Sequence, residues 1–345
     1  MKSGKCYRYL VYVIFVIALL TLNFALETEA AQGKIQVKAA VSPANSNWYG
    51  AAVALHQLIN GKSRLDITSS SAPGPLAITA MVAQGLADLG MQGVNSSMAH
   101  AYNGWQDFKG KPNAKVRNLI RINQIYIAML TTPKTGIKSA ADLKGKRVAW
   151  YTASATVEIE GWLRVHGLDP DKDIVKVPTT DPGTAHNMLA QGLLDVIFGM
   201  ISPSPVTLDL QQQVGELVYL PISADLVKKA KQNYPQMMAG ITFGTYPPTL
   251  FPPLKIKNPI DTMSIPIGVV SLSSFNEEAI YLYTKTMLEN APAVKALNPL
   301  FNTFNFNQAA STDFDVPYHE GAIRAFKEKG LWTDSQEKFQ KSVLK

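Results

Sequence analysis

The 345-residue chain has one cysteine, Cys6, and five histidines, each in a separate segment. That leaves no set from which a zinc ribbon, a disulfide framework or an iron–sulfur cluster could be built. Both phosphate-cradling glycine signatures, Gly-x-x-x-x-Gly-Lys-Ser/Thr and Gly-x-Gly-x-x-Gly, are absent, as is the Gly-x-Ser-x-Gly turn of a serine nucleophile. Charged residues make up only 17%, and although the formal net charge is +7, the Lys and Arg are scattered. No basic stretch is interleaved with aromatics, so nucleic acid is set aside as a partner. A hydrophobic share of 46% excludes disorder and gives material for about two domains.

The N-terminus is the longest apolar run. Lys2, Lys5 and Arg8 precede an almost unbroken apolar stretch from Tyr9 to Leu26, followed by the small residues of Thr28-Glu29-Ala30-Ala31. This is the pattern of a secretory signal peptide over residues 1–31 and places the mature chain in the periplasm. An uncleaved anchor is the competing reading, because about 18 apolar residues can just span a bilayer. Cys6 lies before the apolar run, so no lipid anchor is indicated. Cleavage after Ala31 leaves a mature charge of +6 and no cysteine. The fold must then rest on its core, which a chain of this length can supply.

Beyond the signal, short β-type runs alternate with helical patterns. Ile35 to Val41 leads to a helix near Trp48–Asn60, Leu65 to Thr68 to one near Pro75–Gln84, and Leu89 closes the set. A second set runs through Arg147–Trp150, a helix near Ala155–His166, Ile174–Val177, a helix from Pro182 to Gln191 and Val196–Phe198. The alternation predicts βαβ units with mostly parallel sheets flanked by helices. Ser139 with Asp142 reads as a capping box, and Asp181-Pro182 as an N-cap with proline in the first turn. An internal echo suggests two lobes of similar build. Ala83, Gln84, Gly85, Leu86 and Asp88 recur as Ala190, Gln191, Gly192, Leu193 and Asp195. Ligands of open α/β sheets lie beyond the carboxyl ends of the strands, so two such lobes would face each other across a cleft.

Four segments carry a resemblance over essentially the whole mature chain: Gly136 to Val148 (GIKSAADLKGKRV), Gly244-Thr-Tyr-Pro247, the helix Glu277 to Asn290, and the ending Val316 to Trp332 with its Pro-Tyr-His-Glu-Gly-Ala-Ile-Arg core. Together they resemble the TAXI family of TRAP-transporter solute-binding proteins. The resemblance implies an α/β, two-lobed periplasmic-binding-protein fold of the type II kind with the ligand cleft between the lobes. It implies no cofactor and no catalysis. The partners it implies are a small-molecule solute and an ion-driven TRAP membrane permease, the receptor itself being monomeric. On this reading residues 32–125 plus 245–345 form one lobe and 126–244 the other, crossed by the strand Leu119–Leu130 and by the segment around Gly244-Thr245-Tyr246. A subunit that presents its ligand to a membrane sensor fits the same sequence, and a periplasmic enzyme is the remaining alternative.

Candidate contacts follow from position after the strands. They are Asn45, Asn47, Trp48 and Tyr49 after the first strand, Ser70 and Ser71 after the second, and Gln92 and Met200 after the echoed strands. In the other lobe they are Tyr151, Thr152, Ser154 and Thr156, with Tyr246 from the Gly-Thr-Tyr-Pro segment. Each has a plainer reading: turn or cap residue for the polar ones, core aromatic for the rings, crossover brace for Tyr246. Where the family usually carries a glycine-rich turn and small residues, this chain has Asn45-Ser46-Asn47-Trp48-Tyr49 and Trp150-Tyr151-Thr152. Bulk at these edges argues for a solute with a planar or apolar part besides a carboxylate. Arg121 is a further cation within reach of the cleft or on the surface. His56, His100, His166, His186 and His319 show no metal or nucleophile spacing and read as packing or cap residues.

Processing is directly checkable. Mass spectrometry of the exported protein should place the mature N-terminus close to Ala31, whereas a full-length chain retained in the membrane would establish the anchor.

Overall fold

A computed structural model describes residues 33–44, 46–151 and 156–345, together with the backbone but not the side chain of Thr156. The expected signal segment, Asn45, Thr152 and Ser154 lie outside the described residues. In chain order the elements are β1 (Ile35–Val41), α1 (Asn47–Lys62), β2 (Leu65–Ser71), α2 (Pro75–Ala83), β3 (Leu89–Val94), α3 (Asn95–Asn103), β4 (Val116–Thr131), β5 (Arg147–Tyr151), α4 (Thr156–Val165), β6 (Val175–Thr179), α5 (Pro182–Ala190) and β7 (Ile197–Met200). They continue with α6 (Pro205–Val214), β8 (Val218–Leu220), α7 (Ala224–Asn233), β9 (Thr242–Tyr246), β10 (Ile260–Leu272), α8 (Glu277–Glu289), α9 (Ala291–Leu297), α10 (Glu320–Glu328) and α11 (Asp334–Val343).

The result is a mixed α/β architecture with a central sheet in the order β2-β1-β3-β10-β4-β7, to which β8 adds on β4 and β9 on β10. Pairing is parallel within the βαβ ends, β1 with β2 and β3, and β5 with β6. It is antiparallel wherever β4 or β10 takes part. These two long strands are what turns an expected mostly parallel sheet into a mixed one. The strand expected over Leu119–Leu130 is β4, and the second long strand is β10; Gly244 to Tyr246 belongs to the short β9 beside it.

A waist divides the sheet. Along β4, residues on both sides are buried, while Gln124, Ile125 and Tyr126 are only half-buried. At the same level of β10, β9 starts at Thr242 opposite Ser264 and β3 finishes at Val94 opposite Ile267, so Pro266 falls in the gap between two partners on that edge. A proline there removes no ladder hydrogen bond, which is why it is tolerated inside a 13-residue strand. Above the waist lie β1–β3, below it β7–β9, and Ala149 of β5 joins the lower part by donating to the Val196 carbonyl at 3.0 Å.

The sequence echo is an echo in space. Gly85 and Gly192 both end their helices at φ +72°, and the next residues, Leu86 and Leu193, each donate 2.8 Å backbone bonds to Met81 and Met188. Asp88 then accepts from the Lys38 N–H and Asp195 from the Arg147 N–H, both at 2.8 Å. The shared aspartate thus tethers each βα unit to the backbone of a neighbouring strand, at the middle of β1 and at the start of β5.

A clasp beside the waist ties three distant segments together. Asn95, fully buried, donates to the Gly240 carbonyl at 3.2 Å and the Asp313 carbonyl at 3.1 Å, and accepts from the Asp315 N–H at 2.9 Å. Asp315 in turn holds the Gly240 N–H and pairs with Lys231 of α7 at 3.1 Å. Gly240 has φ +77°, and a Cβ there would stand 2.1 Å from the Ser96 amide nitrogen. Gly240→Ala should therefore cost about 2–3 kcal/mol or more in denaturant unfolding. Gly61→Ala, in helix α1 with open space around it, should be neutral or slightly stabilising. Equal stabilities for the two variants would remove the clasp from the account.

Candidate functional site

The carboxyl ends of β1, β2 and β3 converge. β1 and β2 run in register to Val41 and Ser71, and the chain then turns through Ser42, which is buried and donates from its hydroxyl to Gln92 Oε1. Ser71 Oγ reaches the Ser42 carbonyl at 3.4 Å and Ser70 Oγ the Ala39 carbonyl at 3.3 Å, while both serines remain exposed. Ser46 caps α1 by accepting from the Tyr49 N–H, which leaves Asn47 exposed in its first turn. Trp48 and Tyr49 are half-buried and pack against the core, so the plainer reading of these rings holds for part of each. Gln92 sits in β3 at φ +68°.

The second wall is formed by β5, β6 and β7. Tyr151 ends β5 opposite Thr179 of β6; both are buried. Burial, with Asp181 nearby, pushes the Tyr151 hydroxyl up to about 12, so it stays a neutral donor. Asp181 caps α5, accepting from the Thr184 N–H at 3.0 Å and from the hydroxyls of Thr180 and Thr184, which hold its carboxyl at about 2. Trp150 does not stand free: Lys176 Nζ lies 4.2 Å above its ring. Met200 ends β7 opposite Ile127 and is 52% exposed, an unusual position for a large apolar side chain.

Between the walls lies the waist. Tyr126 projects from β4 and meets Tyr246 edge-on, with ring centres 5.5 Å apart. Gly244 makes this possible, since a Cβ there would approach the Tyr126 ring to 3.0 Å and Ser264 Oγ to 2.7 Å. Tyr246 itself is fully buried, so it braces the strand pair. Gln124 donates to Ser264 at 2.6 Å across the same pair. Arg121 is buried on β4, where burial lowers its pKa and the nearby charge of Asp313 partly offsets this.

Ser42, Thr179, Asp181, Tyr126 and Asn95 are not among the candidate contacts read from the sequence, where Asp181 appears only as an N-cap. Four of them, all but Tyr126, follow the rule that found the others, lying at or just after the carboxyl end of a strand, and could have been added on it. The place of Tyr126 and the bonds that Asn95 makes depend on segments far away in the chain, which no local pattern records. The histidines hold structural places. His56 donates or accepts at Ser69 Oγ, 2.7 Å away, and burial lowers it to about 4. His319 caps α10 by accepting from the Gly321 N–H. Among the described residues no group of three or more His, Cys, Asp or Glu could hold a metal ion, and no helix is long and apolar enough to cross a membrane.

The first turn of α4 carries one unusual charge. Glu158 Oε2 is shut off from solvent without a hydrogen-bond partner among the described residues, and burial pushes its carboxyl from 4.5 to about 7. The folded chain thus holds a proton that the unfolded chain releases between those values, so rising pH erodes stability across this window. Glu158→Gln should match wild type near pH 4 and exceed it by about 1–3 kcal/mol at pH 8. Parallel unfolding curves at all pH values would contradict the burial of this charge.

Among solved structures, the chain is similar to the periplasmic sulfonate-binding protein of a sulfonate ABC transporter from Methylobacillus flagellatus KT, at 14% identity, covering 90% of this chain and 78% of that one with a TM-score of 0.49. It is also similar to a probable amino-acid ABC transporter extracellular-binding protein from Bacillus subtilis (11% identity, 76% and 96% covered, TM-score 0.46). A third is the L-cystine solute receptor of Neisseria gonorrhoeae in its unliganded open conformation (13% identity, 81% and 96% covered, TM-score 0.44). The family model that matches residues 40–330 is that of the NMT1-like family, and the chain belongs to that family.

Proposed function

We propose that the protein is an extracytoplasmic solute receptor, exported through its N-terminal signal, that captures a small organic solute between two lobes and delivers it to an ion-driven TRAP permease. The observation that carries this reading is the waist. Two sets of strand ends rich in hydroxyls and carboxamides lie on either side of a level where the long β4 strand alone becomes partly exposed. The lobes are 32–125 plus 245–345 and 126–244, and the receptor works as a monomer.

A solute touching both sets of strand ends stabilises the closed arrangement, and only that arrangement fits the permease productively. Donors at the described strand ends are neutral, Gln92, Ser70 and Ser71; Asn45, Thr152 and Ser154, candidates from the sequence, lie outside the described residues. Such a set suits a carboxylate, while the half-buried rings of Trp48 and Tyr49 suit a planar or apolar body. On this reading energy for transport comes from the permease's ion gradient.

A thermal-shift screen of purified mature protein against carboxylates and amino acids tests the proposal. A solute at 100 times its dissociation constant should stabilise by about 2.7 kcal/mol. It should be recovered chemically unchanged, and small-angle scattering should give a smaller radius of gyration with it than without. A converted product would overturn the reading, and an unchanged radius would remove closure from it.

A further inference from the structure

Gln92 stands in a conformation that its residue type disfavours. Its φ of +68° is in the left-handed region, where a side chain costs energy and glycine does not. The cause is a bulge. Against β10, Gly93 pairs with Gly268 and Met91 with Val269, so Gln92 is the extra residue that the ladder skips. Such bulges commonly place glycine at the left-handed position, and they re-aim a side chain near functional sites. Here the neighbouring residue is the glycine. The internal echo sharpens the point, because the position of β7 that corresponds to Gln92 is Gly199, where φ is not positive. The sequence has glycine where the backbone does not need it and glutamine where the backbone does.

The side chain is also fixed. The buried Ser42 hydroxyl donates to Gln92 Oε1, and Gln92 Nε2 has no hydrogen-bond partner among the described residues while the residue is only half-buried. One edge of the carboxamide is therefore held by the protein and the other, with two N–H groups, is left unpartnered, on the opposite side of β1 from the exposed Ser70 and Ser71.

We infer that Gln92 is retained in a strained bulge as a specificity-determining donor, presenting Nε2–H to an oxygen acceptor of the bound solute, a carboxylate or sulfonate oxygen, with Ser42 setting the orientation of the amide. This rests on the solute-receptor reading above. Backbone strain at such a site persists when the surrounding structure over-determines it, here through the β3–β10 register and the Ser42 bond.

The test uses the mature wild type with Gln92→Gly, Gln92→Glu and Ser42→Ala. Each is melted without ligand and with a panel of aliphatic and aromatic carboxylates, sulfonates and amino acids at millimolar concentration. The compound that shifts the wild type most is then titrated calorimetrically into all four. Gln92→Gly should melt about 2–4 °C higher without ligand, because strain is relieved, yet bind about tenfold or more weakly, because a donor is lost. Gln92→Glu, nearly isosteric but without the donor, should bind more weakly still, and Ser42→Ala should fall between Gln92→Gly and wild type. Equal affinity of wild type and Gln92→Gly would overturn the proposal while leaving the receptor reading intact. So would unweakened binding by Gln92→Glu, which would mean that the amide presents its oxygen. A lower ligand-free melting temperature for Gln92→Gly would overturn the strain on which it rests. If no compound shifts the wild type, the receptor reading fails and the proposal with it.

Discussion

The antiparallel pairing of β4 with β10 is the constraint on which the rest depends. It runs from Val116 opposite Leu272 to Ile127 opposite Met263, with register shifts around Gly268. Each strand then serves different neighbours along its length, β10 taking β3 and then β9, and β4 continuing into β7 and β8. Two groups of βαβ units that never pair with each other directly are in this way mounted on one ladder. At the level where the neighbours change, the ladder is bare on one edge, and Pro266 sits there without cost. Gly268 is fitted to the pair as tightly: a Cβ would come within 2.0 Å of Asn118 Oδ1.

A two-strand ladder with a bare waist offers a place where the two groups could turn relative to each other, which the proposed closure on a solute would need. The clasp of Asn95, Gly240 and Asp315 adds a second connection beside it. That segment leaves α7, is pinned against the start of α3, and returns into β9, so the chain touches both groups there without passing through the sheet. The site follows from the same geometry. Parallel strands in each group end on the side facing the waist, and the strand ends with the residues just after them bring Ser42, Ser70, Ser71 and Gln92 to one side and Tyr151, Thr179 and Asp181 to the other.

Much of this was legible in the sequence. Alternation gave the βα elements to within a few residues, the Asp181-Pro182 cap stands as read, and the Ser139–Asp142 capping box is present, although on a 3₁₀ turn over Ala140–Leu143 instead of a longer helix. The echo was legible because its glycine, leucine and aspartate each have a local job: ending the helix, turning the chain and capping a neighbouring strand. What was not legible depended on partners. β10 carries Pro266, Gly268 and four hydroxyl residues or charges within its span, and only the supply of neighbours on both edges makes it a strand. Gln92 was found by position, but its conformation follows from a bulge set by Gly268, 176 residues away in the chain. Tyr246 reads equally as a wall or a brace until Tyr126 is placed beside it.

The central claim is that a solute binds at the waist, between the carboxyl ends of β1–β3 and those of β5–β7. A crystal structure of the mature protein grown with the solute that most raises its melting temperature tests this most directly. The account predicts density bounded by Gln92, Ser70 and Ser71 on one side and by Tyr151, Thr179 and Asp181 on the other, above Tyr126. Density confined to one group of strands, or lodged elsewhere, such as the groove lined by Tyr219, Lys255 and Ile260, would contradict it.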